Sequence, residues 1–257
     1  MARRSPLLHR FMVSTFRRYF RRHMNALRVA SWGMPAAPGN GPVIVYSNHP
    51  GWWDAAVYIL AADHFLPSHE SYAPIDAAML KQYGIFGRIG AFGVDLESPR
   101  GAANFLRTSA EILSSPNRSL WVTAQGRFGD VRERPLGLKP GVARLPEIAP
   151  DCIVLPLAIE YGFWLERGAE AFIAFGKPMR GSDLLDLARA DRLERLETEL
   201  TTTLDRLSAD VQSRDPARFR AMLEGRAGVG GVYDGWRRTI AALRGRAFDP
   251  SHEGRAS

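Results

Sequence analysis

The run Val43-Ile44-Val45-Tyr46 constrains this chain most. It is closed by the polar turn Ser47-Asn48-His49-Pro50-Gly51 and followed from Trp53 by an apolar stretch of helical length. Consecutive β-branched and aromatic residues read as a buried strand. The unit strand, turn, helix then recurs. Residues 70–73 and the glycine-dense segment ending at Val94 read as strands, as do residues 119–123, 153–159 and 171–178. Helical patterns lie between them at 75–83 and 101–113, and a helix start follows Pro140. This alternation predicts an α/β fold: a central mixed, largely parallel sheet flanked by helices. The 257 residues, 46% of them hydrophobic, suffice for one such domain.

His49 stands at the end of the leading strand, and Asp54 follows five residues later. A carboxylate in reach of an imidazole fixes its tautomer and stabilises the imidazolium, leaving the other ring nitrogen to take a proton from a hydroxyl or thiol. The plainer reading is a satisfied histidine in a turn, with Asp54 as an acid at a helix N-terminus.

Residues 1–53 contain no acid; Asp54 is the first in the chain. Arg3, Arg4, Arg10, Arg17, Arg18, Arg21, Arg22 and Arg28 alternate with Leu8, Phe11, Met12, Phe16, Tyr19, Phe20, Met24 and Leu27. The three- and four-residue steps put these apolar residues on one stripe of a helix. The segment is too charged for a transmembrane helix and lacks the apolar centre of a signal peptide. Residues 1–34 therefore read as a basic amphipathic segment lying in a membrane interface. The competing readings are docking on the protein's own core and a transit peptide. The net charge of +7 points to a polyanionic partner, membrane lipid above all. No nucleic-acid motif is present, so no nucleic-acid partner is expected. The expected location is peripheral or monotopic on the cytoplasmic face of a membrane.

Asn48-His49-x-x-x-x-Asp54 after a hydrophobic strand resembles the first motif of the glycerolipid (lysophosphatidic-acid-type) acyltransferase family. Ala124-Gln125-Gly126-Arg127-Phe128 stands where that family has Pro-Glu-Gly-Thr-Arg, with Gln125 for the Glu, Phe128 for the Arg and Arg127 one position early. Leu96 occupies the place of a second family arginine, with Arg100 nearby. Lys139-Pro140-Gly141 resembles the helix start after the third motif, and Ile153-Val154-Leu155-Pro156 resembles the fourth. The resemblance covers roughly residues 40–180.

It implies transfer of a fatty acyl group from acyl-CoA or acyl-carrier protein to a hydroxyl of a lysophospholipid or related lipid, without metal or cofactor. His49 would be the general base and Asp54 its partner. Asn48, Gln125, Gly126, Arg127, Arg132, Lys139 and Pro156 are the expected substrate-binding residues, with the basic loop of Arg127, Arg132, Arg134 and Lys139 as an anion cradle. Loss of two arginines predicts that glycerol 3-phosphate is a poor acceptor. Alternatives are a glycolipid or carotenoid-type acceptor and a non-catalytic lipid-binding protein of the same fold.

Cys152 beside an apolar run reads as packing. Ser182 is expected to cap a long helix with one stripe of Leu193, Leu196, Leu200, Leu204, Leu207 and Val211. A short helix over 232–244 and a disordered tail over 246–257 complete the reading, with the catalytic domain at 35–245.

Overall fold

The computed structural model describes residues 4–36, 39–95, 98–164 and 168–225. Helix α1 (Pro6–His23) leads into strand β1 (Ala26–Ala30). Strand β2 (Val43–Ser47) and helix α2 (Asp54–Phe65) make the central corner. Strand β3 (Glu70–Asp76), helix α3 (Ala77–Gln82), a 3-10 turn at Gly84–Ile89 and strand β4 (Ala91–Val94) follow. Next come helix α4 (Pro99–Leu113), strand β5 (Arg118–Thr123), a 3-10 turn at Val142–Arg144 and helix α5 (Leu145–Ile148). The described chain ends with β6 (Ile153–Gly162), β7 (Glu170–Phe175), β8 (Met179–Arg180), α6 (Gly181–Leu185), α7 (Arg189–Ser213) and β9 (Phe219–Glu224).

The strands form one sheet in the order β4-β3-β5-β2-β6-β7-β1-β9, with β8 paired to β6. β2 runs parallel to both neighbours, β5 and β6. β3 is parallel to β4 and β5, and β1 to β7. The pairs β6–β7, β6–β8 and β1–β9 are antiparallel. The fold is thus the expected α/β architecture, a mixed, largely parallel sheet flanked by helices.

Helices cover both faces, which is why β2 is apolar without alternation and buried throughout. Its Ile44 and Tyr46 join a core with α4, α5 and α7. Val43 and Val45 join the opposite core with α1 and α2. On α7 the expected stripe is buried at Leu196, Leu200, Leu204, Leu207 and Val211, and partly buried at Leu193. Each buried leucine contributes roughly 1.5–3 kcal/mol relative to exposure, so this face alone anchors the helix.

Several boundaries differ from the sequence reading. Residues 26–30, expected to continue the amphipathic helix, form β1 inside the sheet. Ala26, Leu27, Val29 and Ala30 are buried there. Arg28, which kept the helical pattern going, pairs with the buried Glu170 and lies 5.4 Å over the Trp164 ring. The expected division after residue 34 therefore leaves β1, a strand of the sheet, with the amphipathic segment. β9, unforeseen, pairs with the other edge of β1. Ser182 sits inside α6 rather than capping α7, whose N-cap is Ala188. The helix start after Lys139 gives only the 3-10 turn and the short α5, because Leu145-Pro146 restarts the turn. Leu96, the expected helix over 232–244, the tail over 246–257 and the limit at 245 lie outside the described residues.

Candidate functional site

The end of β2 carries the chain into a turn whose polar groups are almost all engaged. Ser47 Oγ donates to the Asn48 carbonyl at 2.5 Å and accepts from the buried Tyr58 hydroxyl at 2.5 Å. The Asn48 side chain, 1% exposed, makes a two-way pair with β6. Its Nδ2 donates to the Ile159 carbonyl at 2.8 Å and its Oδ1 accepts from the Ile159 N–H at 2.9 Å. Asn48 was expected to touch substrate; buried, it instead continues the β2–β6 ladder past the last strand residue.

His49 is held by its backbone on both sides. Its N–H donates to Gln125 Oε1 at 2.8 Å, and its carbonyl accepts from the Gly129 N–H at 3.0 Å. Gln125 is itself buried, and its Nε2 donates to the Leu136 carbonyl at 2.9 Å. An amide is required here, because one atom must accept and the other donate. A Cβ at Gly129 would lie 2.7 Å from Gln125 Nε2, so glycine there lets the loop close on the amide. Gln125 was expected at the substrate; the structure makes it the clamp that positions the histidine backbone.

The imidazole Nδ1 lies 2.5 Å from Asp54 Oδ2. Asp54, 1% exposed, opens α2, where the helix N-terminus favours a carboxylate. Its Oδ2 also accepts from the Gly51 N–H at 3.2 Å, and its Oδ1 accepts from the Tyr161 hydroxyl at 2.5 Å. Burial and the adjoining Asp54 carboxylate push the Tyr161 phenol well above its usual range, so it stays a donor. With Nδ1–H given to Asp54, Nε2 carries the lone pair. The His49 side chain is 22% exposed, and the Phe128 ring, itself exposed, lies 4.4 Å from it. The arrangement is an oriented imidazole base at the mouth of an α/β sheet.

Tyr161 was missed as a functional residue. It closes β6, two positions beyond Ile159, and β6 is parallel to β2; strand pairing therefore brings it to the His49 turn. The sequence signal was only a tyrosine at a strand end.

The expected anion cradle takes another form. Arg127 makes a two-pronged pair with Glu133 of its own loop. Arg132 does the same with Asp130, at 2.9 and 2.7 Å. Arg134 pairs with Asp205 on α7. These partners hold the Asp130 and Glu133 carboxyls below their usual range. Arg127, Arg132 and Arg134 are thus neutralised where they stand.

Gly126 adopts φ +62°, and the Lys139 stem packs over it; a Cβ would meet Lys139 Cγ at 3.1 Å. The Pro156 ring does not reach His49. It shares the register of Tyr46, packs beside Gly176 and Thr203, and so belongs to the α7 side of the sheet. Arg100 lines a different groove, with Asn104 and Arg107 of α4.

A groove of about 730 Å³ adjoins the turn that carries His49. Pro50, Gly129 and Tyr161 form its near wall, and Asp205, Ser208 and Ala209 of α7 its far wall. Among the described residues no group of three His, Cys, Asp or Glu side chains is placed to hold a metal ion. No protein-family model matches the chain, and no curated protein matches it.

Proposed function

We propose that the protein is a membrane-associated O-acyltransferase that moves a fatty acyl group from a thioester, acyl-CoA or acyl-carrier protein, to a lipid hydroxyl. The observation that carries this reading is the His49–Asp54–Tyr161 chain of hydrogen bonds, which leaves Nε2 of a partly exposed imidazole with its lone pair. In the proposed reaction Nε2 takes the acceptor's hydroxyl proton as its oxygen attacks the thioester carbonyl. Collapse of the tetrahedral adduct breaks the C–S bond, and the imidazolium returns the proton to the thiolate. The products are an ester and a free thiol. Asp54 stabilises the imidazolium formed between the two steps. Cys152 is no rival nucleophile: it is buried, and burial pushes its thiol up to about 12.

The membrane part of the proposal rests on α1 and the turn beside the site. No helix among the described residues is long and apolar enough to cross a membrane. Leu7, Phe11, Tyr19 and Trp52 are nevertheless exposed. Tyr19 stacks on Trp53 at 5.3 Å and meets Trp52 edge-on at 6.3 Å, joining α1 to the turn that carries His49. Arg10, Arg18, Arg21 and Arg22 of the same helix are exposed as well. Exposed aromatic rings and arginines on one helix suit the head-group layer of an anionic leaflet, in the proposal the cytoplasmic one.

The test is a labelled acyl-CoA assay with lipid acceptors on anionic vesicles, comparing the wild-type protein with His49→Ala. Transfer that depends on His49 is the expected result. Vesicle binding with no turnover of any acceptor would favour the non-catalytic lipid-binding alternative.

A further inference from the structure

Resting on the acyltransferase reading, we infer that the groove between the His49 turn and α7 holds the acceptor's head group, and that this head group is an uncharged polyol such as a sugar or glycerol. Position comes first. Pro50 follows His49 in the chain, the Gly129 N–H bonds the His49 carbonyl, and Tyr161 bonds Asp54. All three line the groove, so a head group seated there lies against the turn that carries the base. Its volume of about 730 Å³ is within the ~300–1,000 Å³ of small-molecule sites.

Charge decides the class. The walls carry three carboxyl groups, Asp130, Glu160 and Asp205, against two guanidinium groups, Arg132 and Arg134. Each arginine already serves one of the aspartates. A phosphate would have to break an ion pair and then sit among carboxylates. An acyl chain would meet charged walls with nothing to satisfy them. A polyol, which brings its own donors, needs what is present: carboxyl and carbonyl acceptors and an aromatic edge. Glu160 is the lining carboxyl without an arginine bond; Ser208 Oγ donates to it at 2.5 Å. Burial raises its pKa, so it is better suited to sharing protons with hydroxyls than to holding a cation.

Hexyl β-glucoside and hexyl phosphate share a tail and differ only in head group, which makes them suitable probes. In ligand-detected NMR titrations on the full chain, the glucoside is expected to bind at least about tenfold more tightly than the phosphate. Ala209→Trp, on an exposed position of α7, fills the groove and should abolish that binding while the protein melts as before. Asp205→Ala releases Arg134 and should strengthen hexyl phosphate binding by about tenfold. Equal binding of both probes, preference for the phosphate, no glucoside binding, or glucoside binding unchanged in a folded Ala209→Trp protein would each overturn the inference. These outcomes are separate from turnover. Glucoside binding in a protein whose acyl transfer ignores His49 would sink the enzyme reading and leave the groove assignment standing. His49-dependent transfer with phosphate preference would do the reverse.

Discussion

The turn after β2 and the loop after β5 touch each other at His49, and both are polar. In the turn, the Asn48 side chain is tied to Ile159 on β6, and Asp54 links the His49 imidazole to Tyr161 on β6. In the loop, Arg127 and Arg132 are tied to carboxylates a few residues away. Asn48 and Asp54 are buried, whereas Arg127 and Arg132 are exposed. A buried hydrogen bond that breaks leaves an unsatisfied group, whereas an exposed ion pair exchanges with water at little cost. The contrast therefore separates residues that hold the site from residues that decorate its rim.

The largest effects belong to the turn. His49→Ala is expected to lower acyl transfer by roughly 10³-fold or more, with the melting temperature almost unchanged, because the ring reaches solvent. Asp54→Asn should follow at roughly 10²–10³-fold, since an amide can present the wrong partner to Nδ1. A His49→Ala protein with near-normal turnover would remove the reason to set the turn apart.

Gln125→Glu comes next, and it tests the one loop residue that behaves like the turn. This change restores the residue that the resemblance led us to expect. It would nevertheless place a buried carboxylate against the Leu136 carbonyl, leaving that acceptor without its donor. A loss of about 1–3 kcal/mol in denaturant unfolding is expected. Unchanged stability would mean that the loop has room to turn the side chain outward.

Tyr161→Phe is a smaller change with two readouts. The first is activity: the change removes the donor to Asp54 Oδ1. The rate should then fall by about tenfold, because the carboxylate that orients the imidazole has lost one of its own anchors. The second readout is stability. The phenol is raised well above its ordinary value of 10 in the fold, so above pH 10 the unfolded chain binds fewer protons than the folded one. Stability then falls as pH rises, and Tyr161→Phe should lessen that alkaline loss. A rate that does not fall would reduce Tyr161 to packing.

What could be read in the sequence follows the same division by distance along the chain. His49 and Asp54 are five residues apart on one strand–turn–helix unit, so local pattern sufficed. The Asn48–Ile159 and Tyr161–Asp54 bonds span 111 and 107 residues and exist only because β6 lies beside β2. No local pattern encodes that neighbour. β1 was lost for another reason: its Arg28 extended the helical arginine spacing of α1, and only the buried Glu170 on β7 makes an arginine tolerable inside a sheet. The stripe of α7 was legible because a core contact repeats with the helix. In the loop the arginines were visible, but the pairing of Arg127 and Arg132 with Glu133 and Asp130 depends on how the loop folds back on itself.

Arg127 gives the smallest expected effect and the sharpest test of the contrast. From the sequence it is the arginine that stands in for the one replaced by Phe128, and its loss should hurt phosphorylated acceptors most. In the structure its guanidinium is exposed and paired to Glu133, with a further bond to the Phe128 carbonyl at 3.2 Å. Drawing it onto a phosphate would forfeit that fork without gaining a drier environment. Arg127→Ala is therefore expected to change transfer to phosphorylated and neutral acceptors alike by less than about twofold. Glu133→Ala should do the opposite of what a structural acid would: by freeing Arg127 it should favour phosphorylated acceptors by a few-fold, and Arg127→Ala in that background should cancel the gain. The measurement is kcat/KM for lysophosphatidate and for a neutral monoacylglycerol in the four proteins. A tenfold or greater loss in Arg127→Ala confined to lysophosphatidate would mean that the arginine leaves Glu133 for the substrate. The loop would then hold the site as the turn does, and the distinction between the two would fail at this residue.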